Sequence, residues 1–111
     1  WQGSDKVTTA ESMSDAVKAA LAAKQGRWAF VQVMCAHTPD DECANAKDLG
    51  DIAIFASFDP VALDQLACDI AYGSAPDAAT RARWEDYHSA FLPETASKNG
   101  VGRNTYRLVE I

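Results

Sequence analysis

A chain of 111 residues has room for one domain and one hydrophobic core. With 48% apolar and 23% charged residues it is neither a disordered nor a fibrous sequence. The formal charge of −6, with Lys and Arg scattered and outnumbered, argues against nucleic acid and against an anionic membrane surface, both of which call for clustered cations.

The chain opens Trp1-Gln2-Gly3-Ser4, too polar for a signal peptide and without an initiator Met, which suggests a processed or excised terminus. Residues 1–9 lack periodicity and are expected to be a flexible lead-in. Residues 10–111 are expected to form a single α/β domain, a fragment of a larger protein. From Ser12 onward Met13, Ala16, Val17, Ala20 and Leu21 recur at helical spacing. Ser12 or Ser14 is available as N-cap and Gly26 as the stop, so an amphipathic packing helix is predicted.

Trp28 to Met34 is a short apolar run of the kind that suits a strand covered on both faces. Residues 35–50 turn polar, with a proline, several acids and two cysteines, and are expected to form a loop. A second apolar strand is predicted over Ile52–Phe58. Asp59-Pro60 then opens a helix, because Asp is a good N-cap and Pro at the first helical position costs no hydrogen bond. Leu63, Leu66, Ala67 and Ile70 form its main stripe, with Val61, Cys68 and Tyr72 on the other side. A helix apolar nearly all round is normally enclosed, so this one, ending at Gly73, should be central.

Asp77 to Leu92 is predicted as a further helix, with Trp84, Tyr87, His88 and Phe91 on one stripe. A short helical stretch from Pro93 reaches the stop Gly100-Val101-Gly102, and Thr105–Ile111 is predicted as a last strand. The fold class is therefore α/β, in two or three layers. A small mixed sheet of about three or more strands should be covered by three main helices. No apolar run approaches the about 20 residues of a membrane-spanning helix.

The stretch Ala56-Ser57-Phe58-Asp59-Pro60-Val61-Ala62, followed by Asp64-Gln65, resembles the signature of domain-of-unknown-function family 362, whose members are often labelled iron–sulfur center or ferredoxin-like proteins. In that family a strand ends in Ala-Ser-x-Asp-Pro-Val-Ala and leads into a helix carrying Asp-Gln. The ending Gly100-Val101-Gly102 with Tyr106-Arg107-Leu108 is similar to the family's closing segment, and Val31–Met34 followed by a Pro/Asp/Cys loop matches in layout. The likeness spans most of Ala10–Ile111. It implies a related fold and an iron–sulfur or redox association. It also implies a partner, the larger N-terminal region of the parent protein. The chain departs from many relatives in lacking a ferredoxin-type run of cysteines, and Asp41 stands where a Cys-x-Cys pair would begin.

Three constellations carry candidate chemistry. Cys35, His37 and Cys43, beside Asp40, Asp41 and Glu42, combine thiolate and imidazole ligands suited to zinc or iron. Their spacing matches no standard finger and a fourth ligand is not local. A Cys35–Cys43 disulfide and a plain acidic surface loop are the alternatives. An iron–sulfur cluster or zinc is the cofactor this loop would take, although the isolated fragment is expected to hold none. The odd count of three cysteines favours a reducing, cytoplasmic compartment. Ser57, Asp59, Asp64 and Gln65 lie at a strand end and a helix start, where α/β proteins commonly bind ligands. Capping by Asp59 is the simpler explanation of the same residues. His88 within an aromatic stripe is most simply a core histidine, and a Cys68–His88 nucleophilic pair has no positional support. No motif names a reaction or a substrate. The function expected is that of a domain from a redox or metal-associated family. The rival reading is a non-catalytic structural or interaction domain that depends on the missing N-terminal region.

Overall fold

The computed structural model describes residues 6–25, 27–35, 52–87 and 91–111. Among them are four helices and a two-stranded antiparallel sheet. In chain order these are α1 (Lys6–Ala23), β1 (Phe30–Met34), β2 (Ala53–Ser57), α2 (Pro60–Gly73), α3 (Ala78–Tyr87) and α4 (Phe91–Lys98).

The first helix begins earlier than the apolar pattern suggests. Residues 6–9, expected in the lead-in, are helical, and neither Ser12 nor Ser14 is a cap. Ser14 is buried instead, and its hydroxyl donates to the Ala10 carbonyl one turn back at 2.7 Å. That bond satisfies the hydroxyl in an apolar setting. The face of α1 that packs on α4 is thus centred on Ala10 and Ser14, while Met13 and Val17 stay partly exposed. Packing overrides the weak local propensity of the Val7-Thr8-Thr9 start.

β1 and β2 pair in register, Phe30 opposite Ser57 through Met34 opposite Ala53. The bond from Ile52 N–H to the Met34 carbonyl, 2.8 Å, extends the ladder to the point where the chain leaves at Cys35. Period-2 alternation sends Phe30, Gln32, Met34 and Phe55 to one face and Val31, Val33, Ile54 and Ala56 to the other. The first face meets α2, which packs on both strands. The second is open: Val31, Val33 and Ile54 are 67%, 59% and 71% exposed. The sequence leads one to expect cover on both faces. The described residues supply it on one.

α2 is the central helix, packing against both strands, α3 and α4. Val61, Ala62, Leu63, Leu66, Ala71 and Tyr72 are buried along it, as its all-round apolar pattern requires. Trp84 of α3 joins Ala71 and Tyr72 in a cluster that Cys68 and Ala75 border. Of the stretch read as one helix over Asp77–Leu92, residues 78–87 form α3 and 91–92 belong to α4, while 88–90 lie outside the described residues. α3 opens with Thr80 N–H donating to the Asp77 carboxylate at 2.7 Å. Pro93 sits in the first turn of α4, where its missing N–H is not needed.

Thr105–Ile111, expected as a strand, is not one. After Gly102 the chain is tied to the start and then the side of α2, not to a sheet edge. Its residues beyond Asn104 stay exposed, so water satisfies the backbone that a ladder would otherwise pair. The sheet therefore has two strands among the described residues, where three or more were expected.

Candidate functional site

The turn from β2 into α2 gathers four hydrogen bonds on one residue. Asp59, in extended backbone conformation (φ −118°, ψ 112°), is the N-cap of α2. One carboxylate oxygen accepts from Val61 N–H at 2.9 Å and Ala62 N–H at 3.3 Å. Its own N–H donates to the Ser57 hydroxyl oxygen at 2.9 Å. Its second oxygen accepts from Arg103 N–H at 2.8 Å, across 44 positions of sequence. One side chain thus caps the central helix and holds the C-terminal segment.

Glycine makes this clasp possible. A Cβ on Gly102 would lie 2.0 Å from one Asp59 carboxylate oxygen and 2.8 Å from its Cγ, so only a residue without a side chain lets the segment come this close. Gly100, at φ +74°, terminates α4 in the left-handed conformation. Gly100 N–H reaches the Ser97 carbonyl and Val101 N–H the Ala96 carbonyl, both at 3.0 Å. These are the paired bonds of a Schellman ending. Ser57–Ala62 and Gly100–Arg103, far apart in the sequence, are thus joined in one structural device. Farther along, Tyr106 O–H donates to the Asp69 carboxylate at 2.9 Å and pins the segment to the side of α2.

The other residues singled out from sequence do not converge on this point. Asp64 borders a small apolar crevice of about 130 Å³ between α1, α2 and α4, alongside Met13, Val17 and Leu92. Although much of the residue is exposed, burial of its carboxyl raises its pKa above the ordinary aspartate value. Gln65 instead donates to Asp69 at 2.9 Å, one turn along the same helix. Ser57 and Asp59 are brought together, while Asp64 and Gln65 serve separate neighbours.

Of the three candidate metal ligands, Cys35 is free and exposed just beyond β1, and His37 and Cys43 lie outside the described residues. Among the described residues no group of three His, Cys, Asp or Glu side chains could hold a metal ion. Cys68 is half-buried, and burial, with the charges of Asp64 and Asp69, pushes its thiol pKa up against the opposing hydrogen bond from Tyr72. A thiol so held is protonated at neutral pH and is a poor nucleophile. Burial and the Cys68 contact likewise raise the Tyr72 hydroxyl, which keeps it a donor. His88 lies outside the described residues.

Sequence reasoning missed a larger cavity, of about 380 Å³, beside the clasp. Trp28 and Phe30 form one wall, stacked at 6.1 Å between ring centroids and 16° between planes. Lys18, Phe58 and the Gly100 turn complete it. The aromatic content of Trp28–Phe30 was legible, but its meeting with Lys18 across the fold was not.

No family model, no curated protein and no solved structure matches this chain. No helix among the described residues is long and apolar enough to cross a membrane.

Proposed function

We propose that the chain is a non-catalytic interaction domain of a redox or iron–sulfur-associated protein, and that its open sheet face receives a further layer from the parent's N-terminal region. The observation that carries this reading is the outward face of β1 and β2. Val31 opposite Ala56 and Val33 opposite Ile54 form an apolar surface on strands whose other face already rests on α2. Strands apolar on both sides belong inside a sheet covered twice. Large exposed apolar patches mark interaction sites. The occupant is a partner segment in preference to a second copy, because a chain of charge −6 repels its own kind.

The test is co-expression of this chain with the parent's N-terminal region. The two should co-purify, and Val33→Lys with Ile54→Lys should release them while leaving thermal unfolding of the chain itself unchanged. Co-purification that survives both substitutions, or a dimer of this chain alone that the substitutions dissolve, would defeat the reading.

A second role, as a metal or cluster site on residues 35–51, draws support from where the described chain leaves and returns. The Ile52–Met34 bond brings the chain back beside its point of departure, so a ligand set spanning 35–51 would be anchored at both ends. Cys35, His37 and Cys43 would supply thiolate and imidazole donors. Anaerobically purified protein should then contain near-stoichiometric zinc or iron that Cys35→Ala and Cys43→Ala each abolish. Metal-free protein whose unfolding is indifferent to chelator would remove this role and leave the interaction reading standing.

A further inference from the structure

We infer that the cavity between α1, the Trp28–Phe30 pair and the Gly100 turn is a binding site for a small planar aromatic acid. This goes beyond the interaction role and does not depend on it, since the cavity and the open sheet face use different residues.

The volume of about 380 Å³ lies within the range of small-molecule sites, which are mostly apolar with a few placed polar groups. Here three aromatic rings, Trp28, Phe30 and Phe58, line it among aliphatic neighbours. Trp28 is fixed by its indole N–H, which donates to the Leu21 carbonyl at 3.3 Å, so the stacked pair presents a pre-set flat surface. Phe58, which also lines the cavity, is 86% exposed. A phenyl ring left in water beside a cavity, on a residue held between Ser57 and the Asp59 cap, gains burial if a flat ligand enters.

The polar side chains of the lining decide the ligand's charge. Among the described residues that line the cavity, Lys18 and Asp59 are the ionisable ones. Asp59 has both oxygens committed, to Val61 and Ala62 N–H and to Arg103 N–H. Lys18 spends one of its three ammonium donors on the Asn99 carbonyl, 2.7 Å away, which steadies the head group at the rim. Two donors remain for a ligand acceptor, on a side chain that the Asn99 bond has already partly ordered. A carboxylate, sulfonate or phosphate attached to a ring matches the Lys18 donors, with the Asp59 charge already answered by the start of α2 and by Arg103 N–H.

The probes are 2-naphthoate and its neutral counterpart 2-naphthylmethanol, titrated into the isotope-labelled chain and followed by amide chemical shifts. Saturable shifts are expected at Lys18, Trp28, Gly100 and Val101 with both probes. Lys18→Met should weaken naphthoate roughly two- to five-fold and leave the alcohol unchanged, as for an exposed ion pair. Phe58→Ala should weaken both probes roughly two- to ten-fold. Phe58 is largely exposed and Lys18 makes a single rim bond to Asn99, so the variants are expected to keep the amide spectrum elsewhere and report on binding. Shifts centred on Val31, Val33 and Ile54 would mean that the probes merely coat the sheet face, and would overturn the proposal. So would an absence of saturable shifts, or variants that bind both probes as the parent chain does.

Discussion

Replacing Gly102 by alanine puts a Cβ where the Asp59 carboxylate now sits, 2.0 Å from one oxygen. That oxygen cannot stay, because real Cβ atoms do not approach so closely, and the neighbour is a short side chain that is already bonded. Its withdrawal removes the α2 cap, which is worth about 1 kcal/mol, and the bond to Arg103 N–H, worth about another 1 kcal/mol. Alanine returns part of this, a few tenths of a kcal/mol, by narrowing the unfolded ensemble. The net loss is about 2 kcal/mol, or roughly 8 °C in Tm for a domain of this size. Since such domains hold roughly 5–15 kcal/mol, the variant still folds and can be measured. Asp59→Ala should cost a similar amount by removing the same bonds. The informative quantity is the double variant, followed by urea unfolding. With the carboxylate gone there is nothing to strike, so Gly102→Ala in the Asp59→Ala background should cost close to nothing. Losses that simply add, to about 4 kcal/mol, would refute the clasp, because residues that do not share an interaction are additive.

Other consequences are open to direct measurement. Gly100→Ala should cost about 1 kcal/mol in urea unfolding, because the left-handed conformation at φ +74° disfavours a Cβ. Asp64 is an acid whose folded pKa is raised, so its contribution to stability is greatest below the unfolded aspartate value and is lost as pH climbs through the folded one. Asp64→Asn should therefore raise Tm at pH 7, with the advantage shrinking toward pH 3; a Tm gain independent of pH would contradict the burial argument. Peptide-level mass spectrometry after brief iodoacetamide treatment should find Cys35 modified well before Cys68, because the first is exposed and the second is half-buried with a raised thiol pKa. Equal rates under native conditions would show that α2 is not enclosed as described.

Much of the fold was legible because local chemistry and global packing agree at those places. Asp59-Pro60 announces a capped helix, the all-round apolar pattern of Val61–Tyr72 announces its central position, and both hold. The two short apolar runs became paired strands within a residue or two of their expected limits. The errors fall where packing decides against local pattern. Ser14, one of two serines available as a cap, is a buried residue bonded one turn back. Thr105–Ile111 has the composition of a strand, but the Asp59 and Asp69 ties lead it along α2. Gly102 was recognised as a stop signal, whereas its actual duty, close approach to a carboxylate 43 positions earlier, belongs to the tertiary structure and leaves no local trace. The same is true of the cavity. Lys18 looks like an ordinary surface residue and Phe58 like the end of an apolar strand until the fold sets them in one cavity with Trp28.

The proposal that one sheet face awaits a covering layer is tested most directly by side-chain footprinting with a photogenerated carbene, on this chain and on its intact parent. The account predicts heavy labelling of Val31, Val33 and Ile54 in the chain alone and strong protection of all three in the parent, with Val7 on α1 labelled alike in both. Equal labelling of the three sheet residues in the two proteins would mean that the face is simply surface, and the interaction role would fall.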